Sequence, residues 1–364
     1  MCPVRNSLFA VLILVFIGCS PKKDPKKQEH SFQSIYYIEQ DSDAYANGKH
    51  HGSALKEEVI LQVNEWHKGI TDALNIDQDS MHNIVHKHTG FVKAIEKYAP
   101  ELLEEINGIA DGAGLDRDLV LLFNLGEEIY NFCTSNYESC SNMAYRGTDK
   151  NILVYNQDLP KFLHGSGQPI LLRHRDHFVF TMPGSIALSG VSENLAVSCN
   201  SLPMLNMNIE GLPLVFVVRK LLQMESISEA RHFIEHIPMA IAQNLMLVSG
   251  EEVVNLEISK NEVNVHTAKM DSVYYHTNFP IQNSDYKTAG YQHRTCNRYL
   301  FLDSLDMAAK SPEDLSKLFE KAFATRPIKN DETYLQFLVT YQKESKPILQ
   351  FINPRTNESV SLTF

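Results

Sequence analysis

The sequence predicts a layered α+β protein built on a stacked pair of antiparallel sheets. Two observations carry this expectation. The first third of the body places apolar residues at helical spacing, whereas beyond Cys140 short alternating runs take over. From there strands, helices, strands, helices and strands follow one another with no internal repeat and no second linker. Composition permits such a core. Of 364 residues 43% are hydrophobic, and 17 Gly with 15 Pro exclude collagen-like and wholly disordered chains. A net charge of −11, with no basic run outside the N-terminal tail, lacks the footprint of a nucleic-acid binder.

The chain opens on an address. Arg5 precedes ten apolar residues, Leu8 to Ile17, then Gly18, Cys19 and Ser20. A basic start, a short apolar run and a small residue at its end describe a secretory signal. As a helix that run rises only about 15 Å, half a bilayer core, so it predicts no permanent span. Phe16-Ile17-Gly18-Cys19 resembles a bacterial lipobox, with Phe16 where Leu is usual. The resemblance implies that residues 1–18 are removed and Cys19 is lipidated. Lys22, Lys23, Lys26 and Lys27, around Pro21 and Pro25, read as a solvated tether assigned to residues 19–43. The expected location is the bacterial cell envelope, periplasmic or surface-exposed, with a soluble body anchored to the membrane through the N-terminal lipid.

Residues 53–75 predict a helix opening on Ser53 as N-cap. Residues 91–114 predict a second helical stretch interrupted by Pro100, and Arg117 to Phe132 a third, acidic at Glu127 and Glu128. Asn142–Tyr145 and Asn151–Asn156 flank Arg146-Gly147-Thr148-Asp149-Lys150, which has hairpin turn chemistry. Further strands are expected at Ile170–His174, His177–Met182, Ser185–Ser189 and Leu195–Cys199. Pro213 marks a helix start, with helices to Gln223 and over Ser228–His236. Strands resume at Asn244–Val248, Val253–Ile258, Val263–Thr267 and Val273–Thr277. Helices over Tyr291–Ala308 and Pro312–Ala324 precede closing strands at Thr333–Thr340, Pro347–Ile352 and Val360–Thr363.

With the hairpin turn centred on Thr148 and Asp149, facing residue numbers sum to about 297. Cys140 then faces Gln157, and Asp158 lies within a residue of it. A thiol and a carboxylate share one neighbourhood, although a one-residue slip would part them to opposite faces. Beyond Cys2 and Cys19 the chain holds Cys133, Cys140, Cys199 and Cys296. Taken alone, Cys140 reads as a core thiol or half of a disulfide with Cys133.

Cys140-Ser141-Asn142-Met143-Ala144-Tyr145, the turn, and Ile152 through Asn156-Gln157-Asp158 resemble the N-terminal-nucleophile hydrolases. The closer likeness is to the isopenicillin N acyltransferase branch, related to acid ceramidase and choloylglycine hydrolase. His276-Thr277-Asn278 is similar to the family's His-Thr-Asn, and Arg294 stands in the place of a family Arg that follows on a helix. Gly48–Glu58 and Pro100–Gly114 resemble its propeptide. Two positions depart from the pattern. Ser139 stands where the isopenicillin branch has Gly, and Tyr155 where acid ceramidase has Arg.

The resemblance implies a four-layer αββα sandwich over residues 140–364, preceded by a helical propeptide or small-subunit segment over 44–139. It implies autocatalytic cleavage between Ser139 and Cys140, leaving an associated heterodimer. Cys140 would then be the nucleophile and its own freed α-amine, of pKa about 7.7–8, the base. Asp158 would orient that ammonium, Asn278 would donate to the oxyanion, Arg294 would neutralise carboxylate charge, and Asn156 and Thr277 would support the site. The expected substrate is a small N-acyl compound, cleaved or transferred through a thioester at a carbon–nitrogen bond, with no cofactor. The competing reading is a non-catalytic surface lipoprotein that uses the same scaffold to bind a ligand. Cys133 is the second choice of nucleophile, and a Cys–His pair distant in sequence stays open.

Fifteen histidines raise the question of a metal. His82 and His86 share a helical face with His88 nearby, and His174 and His177 flank Arg175-Asp176. Neither group shows a third ligand at zinc spacing, so solvated or core histidines and no metal are expected.

Overall fold

The computed structural model describes residues 33–40, 42–134, 140–288, 296–305 and 312–364. The expected signal segment and Cys19, together with Ser139 and Arg294, lie outside the described residues.

The α+β expectation holds. An eight-stranded sheet runs in the order β1 (Tyr36–Gln40), β4 (Ile170–His174), β5 (His177–Thr181), β6 (Ser189–Ser192), β7 (Ala196–Ser201), β8 (Gln243–Val248), β9 (Val253–Ile258) and β10 (Val263–Thr267). A six-stranded sheet runs in the order β11 (Ser272–His276), β2 (Ser141–Arg146), β3 (Lys150–Asp158), β12 (Thr333–Gln342), β13 (Ile348–Asn353) and β14 (Glu358–Thr363). Side-chain alternation sorts β2 and β3 between two environments. Asn142 reaches Ser198 and Asn200 of β7, and the Tyr155 hydroxyl reaches the Cys199 carbonyl, so one face meets the larger sheet. Met143, Tyr145, Ile152 and Val154 point the other way, into a cluster with Leu315 and Phe319 of the helix Pro312–Phe323.

Among the described residues eight helices and one π turn lie between β1 and β4, along with the β2–β3 hairpin. They are α1 (Ala44–Ala54), α2 (Lys56–Leu74), α3 (Gln78–Asn83), the π turn Ile84–His88, α4 (Phe91–Tyr98), α5 (Pro100–Ala113), α6 (Arg117–Asn124), α7 (Gly126–Cys133) and the short α8 (Lys161–His164). The later ones are α9 (Leu214–Leu221), α10 (Ile227–His236), α11 (Asn297–Asp303) and α12 (Pro312–Phe323). Among the described residues no helix is long and apolar enough to cross a membrane.

Four expectations need correction. Ser53 is no N-cap: it sits in the last turn of α1, its hydroxyl bonded back to the Lys49 carbonyl at 2.7 Å. The third helical stretch breaks at Leu125 into α6 and α7. Ser185 belongs to a turn after Gly184, whose φ is +88°, and the strand begins only at Ser189. Residues 36–40, placed in the tether, are β1, which pairs in parallel with β4 at the sheet edge. A parallel partner needs a long crossover, and the whole helical segment supplies it.

The two propeptide-like stretches form one helix pair. α1 and α5 cross so closely that a Cβ on Gly52 would lie 2.2 Å from the Ile109 carbonyl oxygen. One on Gly108 would lie 2.2 Å from that of Tyr45. Beneath them Arg219 of α9 makes a buried two-pronged pair with Glu105 of α5, at 2.7 and 2.8 Å. That pair pins the N-terminal helices to the larger sheet's layer, and breaking one partner of such a buried pair leaves an uncompensated charge.

Because both helices present backbone at the crossing, Gly108→Ala must push them apart. It is expected to lower stability by about 1–3 kcal/mol, read as an earlier midpoint in chemical denaturation. An unchanged midpoint would contradict the crossing.

Candidate active site

Cys140 immediately precedes β2, a strand flanked on both sides. The β2–β3 register runs from Ser141 opposite Asn156 to Arg146 opposite Asn151, so Cys140 faces Gln157 as the turn predicts. On the other flank β11 pairs from Ser272 opposite Arg146 to His276 opposite Asn142. Carried two residues further, that register sets Asn278 opposite Cys140. One neighbouring strand therefore brings the amide and the other the carboxylate.

The guanidinium of Arg298 ties these pieces together. It donates to the Cys140 carbonyl and at 3.0 Å to Ser141 Oγ, while its other nitrogen donates to Asn278 Oδ1 at 2.8 Å. Asn278 Nδ2 in turn donates to the Ser201 carbonyl at 3.0 Å. Behind it, buried Glu257 accepts from His276 at 2.8 Å and from the backbone N–H groups of Ile281, Gln282 and Asn283. Burial by itself would raise the Glu257 pKa, but these donors outweigh it and hold the carboxyl below its ordinary range. The loop that carries Asn278 is thus fixed at both ends.

Asp158 is buried on the far side of the cysteine. Its Oδ1 accepts from Asn156 Nδ2 and, at 2.8 Å, from Thr333 Oγ1; its Oδ2 accepts from Asn330 Nδ2 at 2.8 Å. Gln336 of β12 holds Asn156 from behind at 2.6 Å. Burial pushes the Asp158 carboxyl up to about 6, against the pull of Arg298. The Cys140 thiol contacts the Asp158 carbonyl oxygen at 3.6 Å. Burial, then the Asp158 charge, push that thiol up to about 12 in the continuous chain. Its backbone sits at φ +100°, a region that costs an L-residue about 1–3 kcal/mol.

Cys133, Cys140, Cys199 and Cys296 are all free thiols, so the Cys133–Cys140 disulfide does not form. Thr277 supports the site indirectly, receiving the Cys296 thiol at 3.3 Å. Tyr155, at the departing position, directs its hydroxyl to Gln157 and the Cys199 carbonyl. A small apolar cleft is lined by Trp66, Phe123, Leu163, Leu188 and Leu159, the residue after Asp158, together with Glu127. Burial pushes Glu127 up to about 7.

The structure brings Cys140, Asn156, Asp158 and Asn278 together. Among the described residues the arginine in the site is Arg298, which sequence reasoning missed. α11 begins at Asn297, so Arg298 lies in its first turn, while the expected Arg294 lies outside the described residues. Asn330, Thr333 and Gln336 carried no local signal, because they meet Asp158 and Asn156 only through β12 pairing.

Residues 146–325 match the model of the family described as acyl-coenzyme A:6-aminopenicillanic acid acyl-transferase. This stretch of the chain belongs to that family. The match begins inside β2, just past Cys140, and takes in Asp158, Asn278 and Arg298. A protein of Archaeoglobus fulgidus described only as uncharacterized is 32% identical over 141 residues, 35% of this chain and 24% of that protein. The chain therefore matches about a quarter of that relative's length.

Two outcomes test the geometry. Arg298→Lys keeps the charge but loses the fork that bridges Asn278 and the Cys140 carbonyl. It is expected to slow covalent trapping of Cys140 by an acyl-mimicking electrophile about tenfold or more. The same trapping rate is expected to fall as pH drops through about 6, where Asp158 protonates. Asp158→Asn should remove the step near pH 6, and a step that persisted there would assign it elsewhere.

Proposed function

We propose that the chain is a four-layer αββα N-terminal-nucleophile hydrolase, made as a precursor and cut between Ser139 and Cys140. The observation that carries this reading is a free thiol at a strained φ, flanked by Asp158 and by an Arg298-bound Asn278. The family match, named for acyl transfer, supports the same chemistry.

In the continuous chain the thiol is protonated and its neighbouring nitrogen is an amide, which cannot act as a base. Cys140 Sγ attacks the Ser139 carbonyl carbon, its proton passes to the departing nitrogen, and the C–N bond breaks to leave a thioester. Water then releases Ser139 as a carboxylate and Cys140 with a free amine. Cleavage removes the constraint that φ imposes at Cys140, so the strain favours the product. It also creates a cation beside the sulfur, which pulls the thiol pKa down from its desolvated value. Activity thereby waits on processing.

In the mature site the α-amine takes the thiol proton as Sγ attacks an external amide. Asp158 accepts from the resulting ammonium and fixes its direction. The Asn278 amide donates to the developing oxyanion, while Arg298 fixes that amide. The leaving amine takes the proton, and water or an acceptor amine resolves the thioester. Leu159, next in sequence to Asp158, lines a small apolar cleft, which supports a small N-acyl substrate. Its wall comes from both sides of the cut. β1, the Glu105–Arg219 pair and the bond from Leu214 N–H to Glu128 keep the fragments associated as a heterodimer. We place this enzyme in the bacterial cell envelope, anchored by lipid on Cys19, as the N-terminal sequence supports.

On a denaturing gel the purified protein should run as two fragments, with intact mass placing the cut before Cys140. Cys140→Ala should remain one band, whereas Cys133→Ala should still be processed. A single unmodified band for the native chain would overturn the proposal.

A further inference from the structure

Far from Cys140 in sequence, two imidazoles and a carboxylate converge in a way the sequence does not announce. His82 lies in the last turn of α3 and His86 in the π turn that follows, where one wider turn replaces the α-helical ladder. Their rings lie 4.3 Å apart. Asp118, in the first turn of α6, meets both: His82 Nδ1 lies 2.9 Å from one oxygen and His86 Nε2 2.7 Å from the other. The three ligand atoms lie within 4.8 Å of one another, and among the described residues no other three such side chains converge. The geometry points to a divalent transition-metal site at His82, His86 and Asp118, with zinc as the ligand it suits.

Its chemistry is of the right kind. Two neutral imidazoles and one carboxylate are borderline donors, which select zinc and its neighbours over magnesium or calcium, cations that demand oxygen shells. Zinc would replace the two protons now shared with Asp118, at about 2.0–2.2 Å from each ligand atom. Because all three side chains reach the surface, solvent can fill the remaining position. The chain also supplies a comparison. His232 and His236 have the same spacing, with ring centroids 4.0 Å apart, yet His236 Nδ1 turns back onto the His232 carbonyl at 2.7 Å. An i,i+4 pair by itself is therefore not the argument; the convergent Asp118 from another helix is. A bound ion would tie α3 and the π turn to α6, in the same helical segment that lines the apolar cleft.

The test is titration of Zn2+ into the metal-stripped full chain, followed by calorimetry and thermal unfolding. One equivalent is expected to bind with Kd of about 10 μM or tighter and to raise the melting temperature. His86→Gln and Asp118→Asn should each weaken binding about tenfold or more, while His236→Gln leaves it unchanged. Circular dichroism of each variant keeps folding separate from binding. With Co2+ as a second probe, a visible band of nitrogen and oxygen ligation without thiolate charge transfer is expected. No binding at about 100 μM zinc, or binding indifferent to both substitutions, would overturn the site, as would a thiolate signature reporting capture by the free cysteines.

Discussion

The pairing of β2 with its two neighbours is the constraint from which the site follows. A strand fixes which residue stands opposite which, and a slip of one position would turn every side chain to the wrong face. Here β3 delivers Asp158 to one side of Cys140, and the β11 register carries Asn278 to the other. Buried apolar residues on both faces of the hairpin hold that register, with Met143 and Val154 toward α12 and Ala144 and Leu153 in the main core. The chemistry depends on the core because these buried residues, together with the hairpin turn, stop the slip.

Around this register, polar groups are recruited in tiers. Arg298 touches Cys140 and Asn278 directly, Asn156 and Thr333 touch Asp158, and Gln336 and Glu257 stand behind them. Gln336 as a donor to Asn156 and Glu257 as an acceptor from His276 each satisfy a group that burial would otherwise leave unpaired. The Asp158 carboxyl is thus held at an elevated pKa by desolvation and kept from rising further by its own donors and Arg298. A buried acid with named partners can stay directed at one place, whereas a solvated one would not.

The N-terminal segment is built as part of the same body. β1 extends the larger sheet, Glu105 answers Arg219 beneath the α1–α5 crossing, and Trp66, Phe123 and Glu127 line a cleft with Leu159, the residue after Asp158. A chain cut after residue 139 would separate covalently without separating physically. The glycines at the crossing make this compact, since only backbone without a Cβ lets α1 and α5 approach as they do.

Local chemistry in the sequence determined much of this. Alternation and the Gly147–Asp149 turn set the β2–β3 hairpin and its register, so the meeting of Cys140 with Gln157 and Asp158 was readable in advance. Proline and glycine punctuation likewise marked the break at Pro100 and the end of α5 at Gly114, where the αL backbone suits glycine. What depended on distant pairing was not readable. The parallel edge strand β1 has no local signature, because its partner lies beyond the whole helical segment. Ser185–Leu188 has a strand's composition, but a turn and bonds from Asn124 claim its backbone. The place of Arg298 beside Cys140, and the approach of Asp118 to His82 and His86, were settled by how helices start and pack. Sequence spacing encodes contacts within one element, whereas contacts between elements exist only once the core has fixed where each one lies.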